Sequence, residues 1–201
     1  MKLVVVSPAL NEEHNIKNII ESALDSRKTI TDNSPVTEVE ITVVSDGSSD
    51  NTASIALEFA DKINVIVFEK NRGYGAAIKE GWKESDADIL GFIDADGTCD
   101  PNNFADLCTA LVEEKADIIS GCRLNKKSKM PLVRKLGNRA FAFMLTVFSS
   151  WKMRDIASGM RVVRKDSLSK LLPLPDGLHF TPSMSARAML SNKLMNALSS
   201  L

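Results

Sequence analysis

Short apolar runs alternate with amphipathic stretches along this chain, and the alternation predicts the architecture before any single residue does. Leu3–Val6 is an unbroken apolar run rich in valine, the pattern of a strand buried on both faces. Over Asn11–Leu24 the residues Ile16, Ile19, Ile20, Ala23 and Leu24 fall on one helical face. Val39–Val44 reads as a second strand, and Asp50–Ala60 as a helix turning Ile55, Ala56 and Phe59 inward. Asn64–Phe68 and Gly75–Trp82 repeat the order, as do Ile89–Ile93 and Asn102–Glu114, where Phe104, Leu107 and Leu111 share a face. Asp117–Ser120 adds a fifth strand. Such βα units at spacings of roughly 25–40 residues predict an α/β protein with a doubly wound, mostly parallel sheet.

After Gly121 the rhythm changes. Lys126–Pro131 reads as a basic loop and Leu132–Trp151 as a longer helix with an apolar second half, AFAFMLTVFSSW. That half suits a packing helix, or an interfacial helix facing lipid headgroups behind the basic stretch. Arg161–Val163 suggests another strand and Lys165–Leu171 a short helix. Thr181–Leu190 reads as a last helix, capped at Thr181 with Pro182 in its first turn. The final residues, NKLMNALSSL, end without a strand or a clear stop signal.

Composition narrows the class. With 201 residues, 44% of them hydrophobic, the chain can bury a substantial core as one domain. Cys99, Cys108 and Cys122 have no metal-binding or disulfide spacing, and an odd cysteine count suits a reducing compartment. No apolar stretch reaches 18 residues, so no transmembrane helix is expected in this chain. Met1–Leu10 is too short and too soon interrupted for a signal peptide. The net charge of -1 hides an asymmetry. Ile118–Arg154 has no acidic residue and nine basic ones (Arg123, Lys126, Lys127, Lys129, Arg134, Lys135, Arg139, Lys152, Arg154). The remaining 16 basic and 26 acidic residues give the rest of the chain -10. A basic segment on an acidic body points to an anionic partner, with a merely solvated basic face as the alternative.

The chemistry concentrates where strands end. The fourth strand runs into Asp94-Ala95-Asp96, two hard oxygen donors that suit Mg²⁺ or Mn²⁺ shared with a phosphorylated substrate. The first strand runs into Pro8, Asn11, Glu12 and Glu13, and the second into Ser45-Asp46-Gly47-Ser48. The third ends in Asn71-Arg72-Gly73-Tyr74-Gly75, where Arg72 and a glycine-flanked backbone can approach phosphates. Open parallel sheets gather such ends along one crevice. Singly, each motif is also explained as a turn or a helix cap.

The segments PALNEE, VVSDGSSDNT, NRGYGAA, IDADGTCDP, GCR and DIASGMR, in this order, resemble the family 2 glycosyltransferases of GT-A fold. Within that family they look most like the dolichyl- and polyprenyl-phosphate hexosyltransferases, from about Leu3 to Leu190. The resemblance implies a single GT-A domain with a Rossmann-like nucleotide-sugar-binding half over residues 1–122 and an acceptor-side half over 123–201. It implies that Pro8, Leu10, Glu12, Val44 and Asp46 hold the donor nucleoside; Arg72 and Gly73 are expected in the same nucleotide-sugar site, toward the phosphates. It also implies that Asp94 and Asp96 form the metal and diphosphate site, with Ala95 against the nucleotide. Arg123 and Arg134 match cations near the donor and acceptor phosphates, and Asp155, Ser158, Gly159 and Arg161 a segment near the reacting sugar. The chemistry is expected from Asp96, Asp155, Arg123 and Arg134. The expected reaction is inverting transfer of mannose or glucose from a UDP- or GDP-sugar to a polyprenyl phosphate, by a peripheral protein at the cytoplasmic face of a membrane.

Some positions depart from the family pattern. Leu10 stands where an aromatic is common, Ser45 replaces the first Asp of Asp-Asp-Gly-Ser, and Thr98 sits where some relatives carry a metal-linked Gln. No Pro-Tyr…Arg-x-Gly-x-Ser-Lys segment or membrane helices follow, so the acceptor half reads as truncated at the C-terminus. Two alternatives stay open on these grounds: a silent nucleotide-sugar-binding domain, or transfer to a sugar hydroxyl with Asp155 as base. A phosphatase with Asp94 as nucleophile would place that motif on the first strand, not the fourth. A dinucleotide fingerprint lacks its third glycine, where Ile78 stands. Nucleic-acid binding is not expected, since one Tyr and two Trp leave the basic segment without stacking aromatics.

Overall fold

The computed structural model describes residues 1–121 and 158–190. They form one sheet in the order β3-β2-β1-β4-β6-β5. Its strands are β1 Lys2–Ala9, β2 Glu38–Asp46, β3 Asn64–Phe68, β4 Ile89–Ile93, β5 Ile118–Ser120 and β6 Met160–Arg164. β1 pairs in parallel with β2 and β4, and β2 with β3. The chain winds outward from β1 through β2 to β3, then returns to lay β4 on the other flank of β1. That reversal is a topological switch point, where loops diverge and leave a crevice at the strand C-termini.

Helices cover both faces. α1 Ile16–Asn33, α2 Thr52–Leu57 and α4 Phe104–Glu113 share one core layer. α3 Tyr74–Lys83, α5 Leu168–Leu171 and α6 Phe180–Leu190 share the other. β1 feeds both, sending Leu3, Val5 and Ala9 to the first layer and Val4 and Val6 to the second. With about 1.5–3 kcal/mol for each large apolar side chain buried, this strand is the spine of the domain. α3 approaches it closely: a Cβ on Gly81 would lie 2.7 Å from a methyl of Val6.

The predicted strand–helix order is present, with four physical differences. α1 starts only at Ile16, because residues 11–15 are held in a loop, and runs on to Asn33 by burying Ser26 and Ile30. α2 stops at Leu57, after which Phe59 and Ala60 bond back three residues in tight turns. β6 inserts antiparallel between β4 and β5, pairing Ile93 with Met160 and Ser120 with Arg161. α6 begins at Phe180 with the His179 carbonyl accepting from Ser183, so Thr181 lies inside the helix and is not its cap. The expected basic loop, the helix over Leu132–Trp151 and the chain's last residues fall outside the described residues. Among the described residues no helix is long and apolar enough to cross a membrane.

The loops after β1 and β2 are zipped together. The amides of Asn11, Glu12 and Glu13 donate to Ser48 Oγ (3.2 Å), Thr52 Oγ1 (2.8 Å) and Asp50 Oδ2 (3.1 Å). In return Asn11 Oδ1 accepts from the Ser49 amide at 2.9 Å, and Glu13 Oε2 from the Asn51 amide at 3.1 Å. Asn11 adopts φ 56° to make this exchange, a conformation asparagine tolerates better than most residues. Asp50 also accepts from the Thr52 amide and hydroxyl at the start of α2. Burial alone would raise the Asp50 carboxyl, but the bonds from Thr52 and Glu13 outweigh it and hold it below the ordinary carboxylate value.

Asp50→Ala should cost about 1–3 kcal/mol, through the orphaned Thr52 and Glu13 amides. The sign of the pH effect follows from the lowered carboxyl. Its contribution is complete above the unfolded pKa, near 4, and is lost as pH falls through the lower folded value. Asp50→Asn should therefore flatten the acid limb of stability below about pH 4, as read by urea unfolding. An unchanged acid limb would refute this role.

Candidate functional site

β4 delivers Asp94, Ala95 and Asp96 to the crevice, and the two carboxylates are not equivalent. Asp94 is half-buried; its amide donates to the Gly159 carbonyl at 2.9 Å, and its Oδ1 accepts from the Tyr74 hydroxyl at 2.6 Å. Ala95 then turns into the core at 4% exposure, which sends Asp96 out to solvent. Asp96 Oδ1 accepts from the Thr98 amide at 2.9 Å and the Thr98 hydroxyl at 2.7 Å, across Gly97 at φ 71°. Asx turns of this kind fix a carboxylate without a cation.

The antiparallel course of β6 carries the segment 158–161 to the same edge. Ser158 is buried, and its hydroxyl bonds to the backbone of Met160. Arg161 is fully buried, donating from Nη1 to Ser185 Oγ at 2.8 Å and from Nε to the Ser158 carbonyl at 3.3 Å. It ties β6 to α6, at the back of the crevice edge.

The residues expected around the nucleoside also converge. Pro8 and Val44 are buried partners in register at the ends of β1 and β2. Leu10 stands 43% exposed just beyond them. Glu12 accepts from the Asn15 side chain at 2.8 Å. Asp46, only 3% exposed, accepts from the Arg72 amide at 2.6 Å through Oδ1 and from the Gly73 amide at 2.9 Å through Oδ2.

The turn after β3 differs in character from the sequence expectation. Its glycine-flanked backbone was expected to approach phosphates, but its amides are already engaged. Besides the two on Asp46, those of Gly75 and Ala76 donate to the Asp176 carbonyl at 2.6 and 3.1 Å. The glycines make room for protein: a Cβ on Gly73 would lie 2.5 Å from that carbonyl, and one on Gly75 2.2 Å from the Pro175 carbonyl. The Arg72 guanidinium stacks 4.2 Å from the centre of the Phe68 ring and donates to Glu80 at 3.2 Å. Tyr74 and the Asp176 carbonyl are thus site components that motif reading passed over. The signal available was that the only tyrosine of the chain lies inside a strand-end motif.

Arg123, Arg134, Asp155 and Cys122 lie outside the described residues. Cys108 is buried in the core, and burial pushes its thiol up to about 12, which leaves it inert. A cavity of about 230 Å³ lined by Arg27, Glu40 and residues 60–64 sits at the start of β3, the opposite end of the strands from Asp46 and Asp94. Among the described residues no three His, Cys, Asp or Glu side chains converge as a metal cage. Asp94 and Asp96 are hard oxygen donors of the kind Mg²⁺ or Mn²⁺ takes beside a diphosphate, and their chemistry fits such an ion.

Comparisons with known proteins agree with this fold. The family model described as glycosyl transferase family 2 matches residues 4–172. The chain is 29% identical over 190 residues to the UDP-N-acetylglucosamine–dolichyl-phosphate N-acetylglucosaminyltransferase of Methanococcus voltae, covering 84% of this chain and 72% of that protein. It is 28% identical over 185 residues to the dolichyl-phosphate beta-glucosyltransferase of Drosophila melanogaster, covering 85% of this chain and 57% of that one. Its fold matches glucosyl-3-phosphoglycerate synthase of Mycobacterium tuberculosis, solved with Mn²⁺, UDP and glucosyl-3-phosphoglycerate. That superposition has a TM-score of 0.68 at 22% identity, covering 99% of this chain and 68% of the other. Fold, ordered strand-end motifs and family match coincide over the same residues, and the chain belongs to glycosyl transferase family 2.

Proposed function

We propose that this GT-A domain transfers a hexose, mannose or glucose, from a UDP- or GDP-sugar to a polyprenyl phosphate, with inversion at the anomeric carbon. The observation that carries the reading is the unequal carboxylate pair at the switch point, Asp94 held inside and Asp96 presented outside. The polyprenyl-phosphate acceptors named for the relatives support the acceptor class, and a UDP-sugar in one of those names supports uridine. In this reading residues 1–122 hold the donor and 123–201 the acceptor side.

Asp94 and Asp96 would hold a divalent cation, Mg²⁺ or Mn²⁺, with the donor diphosphate. Its chemistry there is to offset negative charge on the departing β-phosphate. The chain's own residues do the rest. Leu10 offers the nucleoside an apolar contact above buried Pro8 and Val44, with Glu12 beside it; Asp46 supports that edge from below by holding the turn of Arg72 and Gly73, and Ala95 by packing under the nucleotide. An acceptor phosphate is ionised at neutral pH and attacks without a strong base. What it must overcome is repulsion from the donor phosphates, which Arg123 and Arg134 relieve. Such an acceptor is anchored in a membrane, and in this reading the protein works peripherally at its cytoplasmic face.

Thermal unfolding with UDP or GDP, each with Mn²⁺ or EDTA, tests the donor site. A nucleotide at about 100 times its dissociation constant adds roughly 2.7 kcal/mol, and so raises Tm by about 5–10 °C in a chain of this size. The shift should need the metal and vanish in Asp96→Ala. No shift with either nucleotide overturns the donor site.

The acceptor is tested at Asp155. With a phosphate acceptor, Asp155→Asn should lower kcat only modestly, whereas loss of a general base to a hydroxyl costs roughly 10²–10⁴-fold. Recovery of labelled sugar in an organic-extractable, mild-acid-labile product is the expected outcome. A severe loss with a product linked to a sugar hydroxyl would replace the phosphate acceptor by a hydroxyl one.

A further inference from the structure

Each carboxylate of the pair has a hydroxyl donor of its own. Thr98 serves Asp96 from two residues away, as in many turns. Tyr74 serves Asp94 from a different strand–helix unit, 20 residues earlier, at 2.6 Å. A phenol bonded to a carboxylate at that distance is a charge-assisted bond with a defined direction.

The surroundings of Tyr74 fix that direction from three sides. Upstream, the amides of Arg72 and Gly73 are held by Asp46. Downstream, those of Gly75 and Ala76 are held by the Asp176 carbonyl. The ring stands edge-on to Phe92 at 6.3 Å and to Phe180 at 6.4 Å. Asp94 is itself pinned through its amide to Gly159. The bond therefore joins two backbones that are each already fixed, and it acts on the orientation of the Asp94 carboxylate.

We propose that Tyr74 is a positioning residue for cation and diphosphate binding. It holds Asp94 Oδ1 so that the carboxylate meets the ion in one orientation, and the clamped turn after β3 aims it. The inference rests on the reading of Asp94 and Asp96 as the cation site. Hydrogen-bond partners of metal ligands characteristically contribute 10–100-fold in metal affinity, and Tyr74 has that place here without touching the ion. The turn that resembles a phosphate cradle in sequence thus acts on the diphosphate indirectly, through a carboxylate.

The test is an electron-paramagnetic-resonance titration of Mn²⁺ into the full chain, with UDP and in parallel with GDP. Tyr74→Phe keeps the ring and its contacts with Phe92 and Phe180, so its unfolding midpoint should stay near wild type. The Mn²⁺ concentration for half-saturation should rise about tenfold. In an Asp94→Asn background the same substitution should add nothing, because its effect passes through that carboxylate. A wild-type Mn²⁺ half-saturation concentration in Tyr74→Phe, or a full additional loss in the Asp94→Asn background, overturns the positioning role alone. A wild-type chain that binds Mn²⁺ no better with either nucleotide than without overturns the cation site, and the positioning role with it.

Discussion

Asp46 imposes the constraint on which the ligand edge is built. A carboxylate at 3% exposure must be met by donors, and here the donors are two consecutive backbone amides of the turn after β3. The two turns touch as closely as backbones can. Gly47, at φ 70°, leaves space where a Cβ would lie 2.3 Å from the Asn71 amide nitrogen. Once the turn is seized, α3 starts at a fixed point, and its first amides fall against the Asp176 carbonyl. The hydroxyl of Tyr74 then points across the switch point to β4. A charge buried beside one strand thereby sets the geometry of a carboxylate two strands away.

The fold was largely legible in the sequence because period and burial agree. Strands such as Leu3–Val6 are continuous apolar runs that could only be central, and the helices opposite them show one apolar face. Legibility failed where loops decide. α1 was expected from Asn11, since no pattern announces that the Asn11, Glu12 and Glu13 amides bond to another loop. The antiparallel placement of β6 depends on an edge left open beside β4, which a short run such as Arg161–Val163 does not encode. In the candidate site, the carboxylate pair was legible because a strand delivers it. The clamp on the turn after β3 was not, because glycines that admit a ligand and glycines that admit a carbonyl look alike in sequence.

In the proposed reading the charge distribution divides the labour of a transferase between two parts of the chain. The described body carries carboxylates at the donor edge, several of them consumed in holding loops: Asp50, Glu13 and Asp46 all bond to backbone. The cations concentrate in the stretch between β5 and β6. An ion-dependent donor site and a cation-rich acceptor side complement one another when both substrates are phosphorylated, since neither alone could offset the combined negative charge.

The antiparallel insertion of β6 has an evolutionary consequence. β5 ends and β6 begins at the same edge of the sheet, where the Gly121 amide bonds to the Met160 carbonyl. The two ends of the chain on either side of residues 122–157 are thus held together beside Asp94. Lengthening a chain between two joined ends costs only about 0.6 kcal/mol per doubling, so the sheet tolerates a change of length at that point. In the proposed reading, where those residues belong to the acceptor side, a lineage that exchanged them would change what receives the sugar and inherit the donor edge intact.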